Sequence, residues 1–256
     1  MKGLKQPKCQ QDVIDNLELA LSIMGFGSEY NILGMYKKRQ LPEQVLDGML
    51  DMFGDVELKA QNLGISLDWY DIRVECIRLC GFPILTTKFM DAMTDTIRYL
   101  TSKSEPMVLD PMAGLGSIAK CLSDRGIKTR ASDNFTDQQL LHGYKNLWCN
   151  VEKLDAIQAL DCYVQDTDLI LLSWPSYQSP IAADILKWLY IHKPEMPVIY
   201  IGELQGGCTA DDEFFDLFKE IKVPDEHDCN RFYQKWESVN DMIFYILPEV
   251  AQKTTD

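Results

Sequence analysis

The stretch Met107-Val108-Leu109-Asp110-Pro111-Met112-Ala113-Gly114-Leu115-Gly116-Ser117-Ile118-Ala119 limits what this chain can fold into more than any other. A short apolar run ends in an acid, two glycines follow one residue apart, and an apolar pattern of helical period begins. Strand, turn and helix start are therefore expected in that order. Such a unit brings backbone amides and the positive end of a helix to one point, where a nucleotide-like cofactor is expected to sit.

From Met107 onward, short apolar runs alternate with helical stretches, the pattern of βαβ units and a mainly parallel sheet with helices on both faces. Strands are expected at 107–110, 128–133, 151–155, 168–173, 197–202 and 241–247, with one more between 223 and 236. Helices are expected at 116–125, 137–147, 181–191 and 211–219. Before residue 104 the signals are helical, over 13–24, 42–54, 66–79 and 87–100, with Gly81-Phe82-Pro83 as a break. The 256 residues suit one α/β unit with a smaller extension. That places a helical N-terminal domain at 1–83 and the α/β domain at 84–256.

A formal net charge of −14 means that a nucleic-acid backbone would need a locally basic surface against the average field, so a nucleic-acid partner is not expected. No apolar run reaches membrane-spanning length, and the first residues carry no apolar segment after their lysines; a cytoplasmic location with no membrane partner is expected. Eight cysteines are scattered without a Cys-x-x-Cys pair, which suits reduced thiols. Cys76 with Cys80, and His227 with Cys229, lack a second ligand pair at zinc spacing, and no metal site is assigned.

Gly114-Leu115-Gly116-Ser117-Ile118-Ala119 satisfies the dinucleotide fingerprint, with Asp133 seventeen residues beyond Gly116 as a candidate ribose acid. Asp110-Pro111 argues against a nicotinamide cofactor. The dinucleotide pattern runs from apolar strand straight into glycine, and an acid at the strand tip repels a pyrophosphate but suits a cationic group.

The segment from Asp110 to Ser117 resembles the first motif of class I S-adenosylmethionine-dependent methyltransferases, nearest to the Asp-Pro-Phe-x-Gly-Ser-Gly-Thr form of the amino-methyltransferases. Ser173-Trp174-Pro175-Ser176-Tyr177, at the end of the expected fourth strand, is similar to their Asp/Asn/Ser-Pro-Pro-Tyr motif, with Trp174 in place of the first proline. The resemblance covers about residues 84–247. It implies a Rossmann-like methyltransferase sheet and S-adenosylmethionine as cofactor.

Carried over by position, the resemblance implies that Asp110, Pro111, Ala113, Gly114 and Gly116 surround the methionine part of the cofactor. Asp133, beside Asn134, would accept from the ribose hydroxyls, and Asp155-Ala156 would meet the adenine edge. The alternative for each acid is a helix cap or a surface charge. Ser173 and Trp174 would touch cofactor or acceptor, with Ser173 accepting a hydrogen bond from the acceptor and Tyr177 stacking on it. Glu203, after the fifth strand, is a candidate substrate-orienting acid or general base, and Gly206-Gly207 a loop over the site or an ordinary turn.

The leading expectation is methyl transfer to a small molecule or protein. The alternatives are a non-catalytic methyltransferase-like interaction or ligand-sensing module and, more weakly, a nicotinamide-dependent oxidoreductase. The acceptor, and the number of subunits, do not follow from these residues.

Overall fold

The computed structural model describes residues 73, 74, 77, 78, 80–140, 143–145, 147–236 and 239–249. The helices expected over 13–24 and 42–54 lie outside the described residues. Of the one expected over 66–79, Arg73, Val74, Ile77 and Arg78 are helical, as is Cys80 just beyond it.

Helix α1 (Thr87–Thr101) begins where the Thr86 hydroxyl accepts from the Phe89 amide at 3.1 Å and ends at Ser102 in the left-handed region. This is a capped helix of the expected length, and it buries Phe89, Met90, Met93 and Ile97. Strand β1 (Met107–Asp110) leads to α2 (Ser117–Asp124), β2 (Lys128–Asp133), β3 (Glu152–Lys153) and α3 (Ala156–Tyr163). Then follow β4 (Leu169–Ser173), α4 (Ile181–His192), β5 (Val198–Gly202), α5 (Asp212–Phe215), β6 (Phe218–Glu220) and β7 (Met242–Pro248). The seven strands form one sheet in the order β3-β2-β1-β4-β5-β7-β6. β7 runs antiparallel to both its neighbours, and the remaining pairs are parallel. This is the expected Rossmann-like sheet, mainly parallel with helices on both faces.

Alternation along the strands divides the core. Val108, Leu169, Leu171, Ile199, Ile201 and Ile243 join α1 and α2 on one face. Leu109, Ile170, Leu172, Val198, Tyr200 and Ile246 join α3, α4 and Phe214 on the other. A strand covered on both faces must be apolar at every position, which is why Leu169-Ile170-Leu171-Leu172 reads as an unbroken run.

Three expected elements differ. Over 137–147 the described residues form turns and a single 3-10 turn at Gly143–Lys145 instead of an α-helix. Side chains compete with the helix there: Asn134 Oδ1 accepts from the Thr136 amide at 3.0 Å and Asp137 Oδ1 from the Gln139 amide at 2.8 Å. The helix expected over 211–219 stops at Phe215, and Phe218-Lys219-Glu220 pairs with β7 as an edge strand. The strand expected between 223 and 236 is replaced by 3-10 turns at Asp225–His227 and Cys229–Phe232, the second capped by Asp228.

Candidate active site at the carboxyl edge of the sheet

Parallel pairing brings the chemistry-bearing residues to one edge. Asp110 ends β1, Asp133 ends β2, Asp155 lies two residues past β3, Ser173 ends β4, and Glu203 follows β5. β1 lies between β2 and β4, so the chain reverses its direction of travel across the sheet there. The crevice outside that point is where open α/β sheets bind ligands. A cavity of about 260 Å³ occupies it.

Asp110 lines this cavity and is 2% exposed, and its Oδ1 has no hydrogen-bond donor. Burial, with a smaller contribution from the Asp133 carboxylate, pushes its carboxyl up to about 8, against the pull of a hydrogen bond from the Met112 amide. A buried acid facing a cavity in this state is matched by a cation.

The glycine turn behaves differently from a phosphate cradle. The Ala113 amide donates to Ser132 O at 2.9 Å, the Gly114 amide to Asp133 Oδ2 at 2.8 Å, and the Gly116 amide to Ala113 O at 2.8 Å. Three amides of the turn are thereby spent inside the protein, where a pyrophosphate would need them free. Pro111, Ala113 and Gly114 do line the cavity. Gly114 has φ +54, and a Cβ there would stand 2.9 Å from Leu140 Cδ1. Gly116 does not line the cavity. At φ +74 it leaves room for Cys149 and Val151, whose side-chain atoms a Cβ would meet at 2.7 and 2.8 Å. Its glycine is required by packing beneath the turn.

Asp133 also accepts from the Phe135 amide at 2.6 Å, and burial raises its carboxyl above the usual range. Two amides leave lone pairs on the carboxylate for further donors. Asn134 lines the cavity, although its side-chain oxygen is already turned back to Thr136. Asp155 caps α3: its Oδ1 accepts from the Gln158 amide at 2.9 Å, and the Gln158 side chain returns a bond to the Asp155 amide. The cap and the cavity lining coincide here, since Asp155 and Ala156 both reach the cavity.

Ser173 and Trp174 close the cavity on the β4 side. Trp174 is held at φ +50, a region costly for a bulky residue, and three contacts fix it. Its amide donates to Ile201 O at 2.8 Å, and its indole N–H to Asp241 Oδ2 at 3.0 Å. Its ring stacks on Phe82 with centroids 5.2 Å apart. Asp241 is 1% exposed and also accepts from the Tyr233 hydroxyl, while its Oδ1 has no donor. Burial raises the Asp241 carboxyl above its ordinary value.

Tyr177 lies on the other side of the Phe82–Trp174 pair, 59% exposed, against a second cavity of about 330 Å³. Glu203 lines neither cavity. It is 8% exposed, and its carboxylate accepts from the Cys208 amide at 2.7 Å and the Asn240 amide at 2.8 Å. Thr209 and Tyr200 complete this clasp: the Glu203 amide donates to Thr209 Oγ1, and the Tyr200 hydroxyl donates to Glu203 O at 2.6 Å. Gly207 is needed there, because a Cβ would run into the Glu203 side chain. The acid expected as a base thus ties together the loops after β5 and before β7, and Gly206-Gly207 is the turn of that clasp.

Sequence reading passed over Phe82, Leu140 and Asp241. Phe82 sits in what reads as a break, and Leu140 in what reads as a helix stripe. Asp241 reads as the polar start of an apolar strand; an acid directly before a buried run is the one signal that could have singled it out. Among the described residues no group of three or more His, Cys, Asp or Glu could hold a metal ion. Cys229 is buried and hydrogen-bonded to Tyr245, and His227 pairs with Asp95. No described helix is long and apolar enough to cross a membrane.

No protein-family model matches the chain, and no curated protein matches it. Solved structures do. A mutant of MtNAS in complex with S-adenosylmethionine is 12% identical, covering 93% of this chain and 89% of that one with a TM-score of 0.42. An rRNA methylase from Streptococcus thermophilus is 16% identical, covering 62% and 97%, with a TM-score of 0.36. An O-methyltransferase family protein from Burkholderia thailandensis is 9% identical, covering 94% and 73%, with a TM-score of 0.40. The architecture stands on the strand order and register described above, independently of these likenesses.

Proposed function

We propose that this chain binds S-adenosylmethionine in the cavity at the tip of β1 and transfers its methyl group to an acceptor. The observation that carries this reading is Asp110, a buried carboxylate with an unpartnered oxygen, lining a cavity at the reversal point of the sheet. The cofactor's methionine end carries positive charge, and its ribose and adenine carry donors, so three acids on successive strand tips fit it in order. Asp110 supplies the countercharge, Asp133 keeps lone pairs for the ribose hydroxyls, and Asp155 meets the adenine edge. A dinucleotide fits poorly, because the turn's amides are spent and two acids flank the position a pyrophosphate would take.

When bound, S-adenosylmethionine supplies a methyl group already activated for transfer. The protein's part is then alignment and exclusion of water. Ala113 and Gly114 let the backbone close on the ligand, Phe82 and Trp174 form a dry wall, and Ser173 offers a hydroxyl on the β4 side of the cavity. Glu203, engaged by two amides, serves to hold together the loops after β5 and before β7. The acidity of the chain favours a small-molecule or protein acceptor over nucleic acid.

Calorimetry with S-adenosylmethionine and S-adenosylhomocysteine tests the reading. Binding of both to the folded protein is expected, and binding of neither would overturn it. Formation of S-adenosylhomocysteine in the presence of acceptor separates turnover from a non-catalytic ligand-sensing role.

A further inference from the structure

We infer that the second cavity is the acceptor site and takes a small aromatic acid, its ring against the Phe82–Trp174 wall and its carboxylate or phosphate on Arg73. This rests on the methyl-transfer reading, because the two cavities meet at that wall. Phe82, Asp137, Trp174 and Ser176 line both.

Arg73 carries the argument for an anion. It lines the second cavity, and its Nε is closed off from solvent with no hydrogen-bond partner. The other described arginines are all engaged. Arg98 donates to Ser104 O and Arg125 O, Arg125 pairs with Asp91, and Arg130 lies over the Tyr163 ring. Arg231 donates to Asp225 O, and Arg78 also has a partner. In a chain with 39 acids against 25 Lys and Arg, a guanidinium left without an acceptor is the exception. Its planar fork matches a carboxylate or phosphate in two-point contact, and unfilled donors in a partly enclosed site cost stability until an acceptor arrives.

The wall and the far side complete the class. Phe82 and Trp174, stacked with their planes 10° apart, line the cavity with aromatic surface suited to another ring. Asp137 lines both cavities, so it is placed to accept from an N–H or O–H of the acceptor at the boundary, where the nucleophile must lie. A cavity of about 330 Å³ is the size of a small-molecule site.

The test begins with protein saturated with S-adenosylhomocysteine and titrates 2-aminobenzoate, phenyl phosphate and benzamide, followed by tryptophan fluorescence and calorimetry. An anionic probe is expected to bind roughly tenfold or more tighter than benzamide, the worth of a charge-assisted hydrogen bond. Arg73→Gln should bring the anionic probes down to the benzamide level while S-adenosylhomocysteine affinity stays within about twofold, since the sites couple only through their shared wall. Equal binding of acid and amide, no binding of either anion to the loaded protein, or an unchanged preference in Arg73→Gln would overturn the inference. Should that variant fail to fold, the acid and amide comparison on the parent protein decides, with Arg73→Lys as the charge-retaining control. Failure of S-adenosylhomocysteine to bind at all would show in the first titration and would overturn both readings. Loaded protein that ignores the anions overturns this one alone.

Discussion

Replacing Asp110 by Asn should make the empty protein more stable and the site useless, with a pH signature that identifies the cause. The carboxyl sits at about 8 in the folded protein against an ordinary value of 3.8. The folded state therefore holds the proton more tightly than the unfolded chain does. The associated stability is complete below pH 3.8, and it is lost progressively as the pH rises toward 8. At 1.36 kcal/mol per unit, the loss approaches about 4 kcal/mol at pH 7 and levels off near 6 above pH 8 as an upper bound. Asn removes the titration. Denaturant unfolding of the ligand-free proteins at fixed pH should show the stability difference in favour of Asp110→Asn widening from pH 5 to 8 and then flattening. Calorimetry with S-adenosylmethionine should show an affinity loss of about 10- to 100-fold, the worth of a hydrogen bond to a charged group. Below pH 8, the parent should also release protons on binding as the cofactor's cation ionises the acid. Parallel pH curves for the two proteins, or binding without proton release, would refute the reasoning.

Substitutions at four further residues probe the frame around the cavity. Gly116→Ala should cost roughly 2–4 kcal/mol, because it combines a left-handed backbone with a Cβ clash against Cys149 and Val151; Gly126→Ala, at φ +79 in open space, should cost only about 1. Thermal unfolding of the pair separates strain from crowding, and equal losses would argue against the packing role. Asp155→Ala should lose about 1 kcal/mol of stability with the capping box, together with adenine affinity, measured as weaker binding of adenosine. Glu203→Ala strands two part-buried amides and should destabilise by about 1–2 kcal/mol, whereas Glu203→Gln should keep S-adenosylhomocysteine affinity within about twofold if the residue is a clasp. A large affinity loss in a stable Glu203→Gln protein would return it to the chemistry.

The candidate site was legible where chemistry and backbone geometry coincide. Asp110 and Asp133 end strands and Gly114 lies in the turn after β1, and all three line the cavity. Asp155 was ambiguous from its neighbours because one carboxylate can cap a helix and face a ligand together. The engagement of Glu203 was hidden for a different reason. Its strand-tip position was correct, but side-chain direction depends on Cys208 and Asn240, which arrive from the rest of the chain. The region 137–147 carries helical apolar spacing, yet Asn134 just before it and Asp137 at its start close local turns, while Leu140 and Trp148 are drawn into the core. Phe218-Lys219-Glu220 could join a helix or an edge strand on local preference, and β7 decides the matter.

The stack of Phe82 on Trp174 bears on where this protein can be cut. The change from helical signals, with Gly81-Phe82-Pro83 as a break, places an expected boundary after residue 83. Yet Gly81, Phe82 and Pro83 line the cavity at the tip of β1, Trp236 donates to Phe82 O at 3.1 Å, and Ile77 and Cys80 belong to the main core. A chain begun at Ile84 would keep every described strand and both motifs and lose one side of that cavity. The smallest piece that keeps the cavity whole starts upstream of the smallest piece that looks like a domain.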